Sequence, residues 1–343
     1  MIEIDGAEGG GQMLRTAVSL AAVVRQPVRL YSIRGARPQP GLRAQHMTGI
    51  DGVAKLCGAQ VSGLEIGSRE LVFEPGAIRA GTFSFSVGTA GSVSLVVQTM
   101  APVAAFGPGP VAARIEGGTH VSWSPPFEHL AHGFFPMIGR MGYVLDRFKI
   151  ARWGWYPRGG GLVEFGAKPV QKLNGLDLSW RGDLVSIGGV SVSSQLPPHV
   201  AQRQAESAAA ELAGAGYQAQ IGRLDGASPG PGSAVVLWAA FDNGLMCASA
   251  LGKRGLAAET VGKNAAKALI DEIGSGAAVD RHLGDQLMIY AALAEGRTDI
   301  AVPEITTHMR TNAAVIEAFL PVKFRLERKT ISITGAGFAN AYL

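Results

Sequence analysis

Residues 303–312, PEITTHMRTN, carry a single histidine, His308, between a threonine and a methionine. No second histidine or cysteine stands near it at metal-ligand spacing. Such an imidazole is either an inert packed ring or a group used alone, as a nucleophile or proton carrier. Three glycine clusters also stand out: EGGGQ at 8–12, EGGTH at 116–120 and PRGGG at 157–161. The first lies between a strand pattern and a helix start. Free backbone N–H groups and the helix dipole favour an anion there, and glycine permits close approach. Three glycines equally serve a tight turn. No G-K-[ST] follows, so this is not a Walker A loop. Glu8 and Gln12 bracket the cluster, and Arg15 follows within a turn of Gln12. A carboxylate beside a phosphate site is a candidate magnesium ligand, since hard cations take oxygen. It would equally favour the helix dipole as a cap.

IRGARPQPGLRAQH, residues 33–46, presents Arg34 and Arg37 on a Pro/Gly loop, then Arg43, Gln45 and His46 on the helix. Arginines on a stiff loop suit bidentate phosphate contact. HLGDQL, residues 282–287, sets His282, Asp285 and Gln286 on one helical face. The ordinary reading of that polar face is solvent exposure.

These residues need elements to position them, and the chain shows one pattern three times. MIEID reads as a strand, GQMLRTAVSLAAVV as a helix and VRLYSI as a strand. LRAQHMTGIDGVAKLCG reads as a helix closed by glycine, and AQVSGLEIGSRELVFEP as two strands. The unit is β-α-β-α-β-β. TFSFSV through GLVEFGA repeats it, and DQLMIYAALAEG through KTISITG repeats it without its first strand. LDLSW, residues 176–180, supplies that strand if residues 183–277 are an insertion. The expected fold is α/β (α+β), with three units forming a large domain (1–182 and 278–343) and a smaller α/β domain inserted in the third. Within the insertion LVSIGGVSVSS and SAVVLWAAF read as strands, and GRLDGASPGPGSA as a loop.

Composition fits this picture. The 343 residues are 17% charged and 47% apolar, a globular balance, with net charge +4. Basic residues gather at the start: Arg15, Arg25, Arg29, Arg34, Arg37 and Arg43 face only Glu3, Asp5 and Glu8 in that region. Such a cluster suits an anionic partner or a solvated basic face. Cys57 and Cys247 have no C-x-x-C partner, so neither a disulfide framework nor a zinc finger is indicated. MIEIDG lacks a signal-peptide pattern. The uncharged stretch 80–113 is broken by Gly and Pro, which argues against a membrane span. The expectation is a soluble, cytoplasmic protein.

DGAEGGGQMLR, IRGARPQPGLRAQH, AGSVSLVVQT, GGTHVSWSPPFEH, WYPRGGG, GDQL and THMRTN together resemble the RNA 3′-terminal phosphate cyclase family. The likeness runs in order along nearly the whole chain and is weakest inside the insertion. It implies ATP-dependent conversion of an RNA 3′-phosphate to a 2′,3′-cyclic phosphodiester through a covalent histidine–AMP intermediate. By that resemblance His308 is the nucleophile, and Glu8 is a ligand of Mg2+ or Mn2+. Gln12, Arg15, Arg34, Arg37, Arg43, Gln45 and His46 belong to the phosphate and RNA-end region. Gln98, Pro125, Asp285 and Gln286 belong to the nucleotide site. The chain departs from the family pattern twice. Its first glycine loop is two residues shorter, and His282 stands where a tyrosine would stack on adenine. Two competing readings share the architecture: a non-catalytic RNA-binding or ribosome-assembly protein, and an enolpyruvyl-transferase-like enzyme. The first would lack the histidine, and the second would need more units.

Overall fold

The computed structural model describes residues 1–343. The first unit runs β1 (Ile2–Asp5), α1 (Gly11–Val24), β2 (Val28–Tyr31), α2 (Ala44–Cys57), β3 (Gln60–Ser62), β4 (Leu71–Glu74). Its sheet has the order β1-β2-β4-β3, with β1 and β2 parallel and the other pairs antiparallel. The second unit starts with β5 (Gly81–Ser86), α3 (Val93–Ala105) and β6 (Val111–Gly117). A helical stretch follows: α4 (Phe127–His129), a π-helical turn Leu130–Phe134 and α5 (Phe135–Arg140). Strands β7 (Leu145–Arg152) and β8 (Gly161–Ala167) close it, in the order β5-β6-β8-β7 with the same directions. Alternation explains β6, where Val111, Ala113 and Ile115 point inward while Ala112, Arg114 and Glu116 face out.

The third unit opens with β9 (Asp177–Leu178), shorter than the five residues its sequence offers. The chain then leaves through β10 (Leu184–Ser194), α6 (His199–Gly214), β11 (Gln220–Asp225), β12 (Gly232–Phe241), β13 (Leu245–Leu251) and α7 (Ala258–Gly274). It returns with α8 (Arg281–Leu293), β14 (Arg297–Ala301), α9 (Thr307–Phe319), β15 (Arg325–Glu327) and β16 (Thr330–Thr334). β9 pairs parallel with β14, and β14 and β15 pair antiparallel with β16. Read as β9-β14-β16-β15, this is the sheet order of the other two units. The missing first strand is therefore found.

The intervening residues form a fourth sheet, β11-β10-β12-β13, covered by α6 and α7 and holding a hydrophobic cluster of its own. Two strands there were not legible. β11 includes GRLD, which reads as loop; it lies at the sheet edge, pairs only with β10, and four of its last four residues are exposed. Its side chains carry no alternation as a result. β13 is the other, rich in small residues.

One apolar cluster spans all three units, and α1 packs on α2, α3 and α9, with α8 against α9. Helices of different units thus meet at α1. No helix is long and apolar enough to cross a membrane.

Candidate active site

Helix α1 begins at Gly11 with Gly10 as its N-cap, and no side chain caps it. Its first N–H groups are left for another acceptor. Gly10 has φ −94° and ψ −169°, which any residue adopts. What the two glycines leave open is space beside the site's side chains, and the space is tight only at Gly11. A Cβ on Gly10 would lie 3.3 Å from Arg37 Nη2 and 3.6 Å from His308 Nε2. A Cβ on Gly11 would lie 2.5 Å from His46 Nε2 and 3.3 Å from Arg15 Nη1. The glycine loop is clasped by two arginines and two histidines.

His308 is the second residue of α9, which starts two residues earlier than its apolar pattern indicates because Thr306 caps it, accepting from Met309 N–H at 3.2 Å. Solvent reaches the ring. Partial desolvation, then the charges of Arg37, Arg15 and His282, hold its pKa below the usual 6.5. At pH 7 the ring is neutral and keeps a free lone pair.

His46 is buried beneath the loop. Its Nδ1 accepts from Arg43 N–H at 3.2 Å, which leaves the proton of the neutral ring on Nε2. Burial, then Arg15, Arg34 and Arg43, push its pKa down to about 3. It meets the loop as a neutral donor. Arg15, pushed down to about 10 by burial against the pull of Asp285, stays charged and bonds Gln12 Oε1.

Behind α1 lies a buried polar chain. Thr16 Oγ1 donates to Asn312 Oδ1 at 2.7 Å, and Asn312 Nδ2 donates to Asp285 Oδ1 at 3.0 Å. It joins α1, α9 and α8. Asp285 is therefore not part of a solvated face: it is buried, and burial pushes its pKa up to about 6 against Arg15, Asn312 and His282. Asn312 was not among the residues singled out from sequence. Its signal is modest, a polar residue one turn after His308 on a helix that is otherwise apolar on that side.

Gln12, Arg15, Gln98 and Gln286 line one cavity, together with Thr16, Phe134 and Tyr290 among others. Gln98 Nε2, Gln286 Oε1 and Tyr290 Oη are buried without a hydrogen bond. Each such atom costs about 1–3 kcal/mol, and a polar ligand would satisfy them.

The remaining candidates surround this centre. Arg34 Nη1 donates to Gln39 O at 3.0 Å and Gly41 O at 2.9 Å, bracing its own loop. Gln45 Oε1 accepts from Ser92 N–H at 3.2 Å at the start of α3. Glu8 is exposed, just ahead of the glycines, and His282 is exposed at the start of α8. Pro125 is half-buried on the loop entering α4. That loop is held by a pair sequence reading missed: His120 Nε2 lies 2.6 Å from Glu128 Oε2, and both are buried. Burial works against the Glu128 charge, yet His120 outweighs it and keeps the pKa below the usual carboxylate range.

Three like-built α/β units meeting at an uncapped helix start, lined by arginine and imidazole, define a repeated-unit α/β protein whose helix start suits an anion. The chain belongs to the RNA 3′-terminal phosphate cyclase family, whose model matches residues 6–326. It is 44% identical to the RNA 3′-terminal phosphate cyclase of Pyrobaculum aerophilum, covering 98% of this chain and 99% of that one. It is also 44% identical to that of Ignicoccus hospitalis (94% and 93% covered) and 43% to that of Methanopyrus kandleri (96% of each).

Proposed function

We propose that the chain converts an RNA 3′-phosphate into a 2′,3′-cyclic phosphodiester, using ATP and a covalent His308–AMP intermediate. One observation carries the reading: a neutral His308, with Arg37 beside it, faces the glycine loop at the open start of α1.

The steps balance as follows. The His308 lone pair, offered by Nε2, attacks the α-phosphorus of ATP; a P–N bond forms, the bond to the bridging oxygen breaks and pyrophosphate leaves. An oxygen of the RNA 3′-phosphate then attacks the same phosphorus and His308 departs. Last, the neighbouring 2′-oxygen loses its proton, attacks the 3′-phosphorus and expels AMP. Phosphoryl chemistry of this kind needs alignment and charge neutralisation above all. Arg15, Arg37 and the α1 N–H groups supply both for the triphosphate. The unpaired atoms of Gln98 and Gln286 fit the nucleoside, with Gln12, Asp285, Pro125 and His282 around it. Arg34, Arg43, Gln45 and His46 shape the side where the RNA end enters.

Glu8 is an exposed carboxylate just ahead of the glycine loop, placed where an oxygen ligand for Mg2+ or Mn2+ would serve. Such an ion would neutralise phosphate charge. Residues 183–277 are read as a separately folded domain inserted in a catalytic body formed by 1–182 and 278–343. Two buried free cysteines suit a reducing, cytoplasmic setting. The test is direct: an RNA bearing a 3′-phosphate, incubated with the chain, ATP and Mg2+, should become resistant to phosphatase. An RNA end that stays phosphatase-sensitive would overturn the reading.

A further inference from the structure

His129, Cys247 and Asp280 come from three parts of the chain: the end of α4, strand β13 and the N-cap of α8. All three are buried, and one ligand atom from each lies within 4.8 Å of the others. From this cluster we infer a buried divalent-metal site, of the kind zinc fills, that fastens the inserted segment to the helix carrying His282, Asp285 and Gln286.

Bond accounting supports it. Asp280 Oδ1 accepts from His282 N–H and Leu283 N–H, each at 2.9 Å, and Oδ2 accepts from Cys247 N–H at 2.9 Å. A carboxylate has about four lone-pair positions, so one on Oδ2 stays open. Nε2 of His129 is buried and makes no hydrogen bond of good geometry, although the Gln286 side chain lies nearby. A packed thiol is common in a core; a buried imidazole nitrogen with no partner is not. Room for the sulfur is built in, since a Cβ on Gly133 would come 2.7 Å from Cys247 Sγ. Gly133 lies in the π-helical turn that follows His129, and such turns gather at functional sites. Tetrahedral zinc has bonds of about 2.0–2.3 Å, which sets its ligand atoms roughly 3.3–3.8 Å apart. Closing the cluster needs at most about 1.5 Å of movement, within reach of side-chain rotations. Cysteine, imidazole and carboxylate together favour zinc over magnesium.

The full chain is treated with a chelator and then titrated with Co2+. The expected result is tetrahedral d–d bands with a thiolate-to-cobalt charge-transfer band, saturating at one ion per chain and displaced by Zn2+. Cys247→Ser should abolish the charge-transfer band, and His129→Gln should weaken binding at least tenfold. Glu8→Gln should keep the band, which separates this site from the one proposed for Mg2+. If chelation unfolds the chain and Zn2+ restores it, the site is also supported. A folded wild-type chain that takes up no Co2+, that shows no thiolate band, or whose band survives Cys247→Ser would overturn the proposal.

Discussion

Gly10 stands against His308, with 3.6 Å between Nε2 and the place a Cβ on Gly10 would occupy. Gly11 stands against His46, with only 2.5 Å in the equivalent measure. The two glycines should therefore fail differently. Gly10 has a φ of −94°, so Gly10→Ala should fold and melt like the wild type. Its methyl would fill the space where phosphate approaches His308, and self-labelling by ATP should fall tenfold or more, about 1.4 kcal/mol of barrier. Gly11→Ala presses on a buried ring already held by Arg43 N–H. It should lose about 1–3 kcal/mol of stability. Thermal melts and labelling rates on both variants check the contrast.

The two loop arginines should also separate. Arg37 reaches Gly10 and His308, so Arg37→Ala should slow labelling about 10²–10³-fold, as for one lost donor in a preorganised site. Arg34 spends Nη1 on Gln39 O and Gly41 O. Arg34→Ala should loosen the loop, seen as faster hydrogen exchange at residues 35–42, with a smaller effect on labelling. Equal loss of labelling in both variants would contradict this division.

A third expectation concerns pH. Desolvation, then Arg37, Arg15 and His282, lower the His308 pKa from 6.5. Labelling should therefore rise through an acid limb whose midpoint lies below 6.5, and be flat at neutral pH. Removing a nearby cation favours imidazolium, so Arg37→Ala should move the ring titration upward. NMR shifts of the His308 ring measure this without relying on activity.

Asp285 makes the opposite kind of statement. Burial raises its pKa from 3.8 to about 6. Its protonated form is favoured by about 3 kcal/mol in the fold. The sign follows from linkage: that stability is present below the unfolded value of 3.8 and is lost as pH rises through about 6. Asp285→Asn keeps a carbonyl to accept from Asn312 and carries no charge. Its stability relative to wild type should grow between pH 4 and pH 7, followed by denaturant unfolding. A constant difference would contradict the buried charge.

Much of this was legible in the sequence, and the misses have physical causes. The three units showed because strands such as β6 alternate and helices such as α1 keep one apolar face. β11 did not show, since an edge strand with exposed side chains has no alternation to read. The apolar run of α9 begins only at Met309, and the capping Thr306 sets its start two residues earlier, so His308 lies inside the helix. His308, Arg15, Arg37 and Gln98 stood out by type and motif. Asn312 and the His120–Glu128 pair did not, because a polar residue in a helix or loop looks solvated until its neighbours are placed. The helical face carrying Asp285 has solvent exposure as its ordinary reading for the same reason, while the resemblance places Asp285 at the nucleotide site.

The central claim is that His308 takes up AMP. Incubation with α-labelled ATP and Mg2+, without RNA, should leave label on the denatured wild-type chain. The bond should be acid-labile and alkali-stable, as a phosphoramidate is, and peptide mapping should place it on residues 303–312. A folded His308→Ala chain should retain no label. Full labelling of that variant, or label mapping to another residue, would contradict the account.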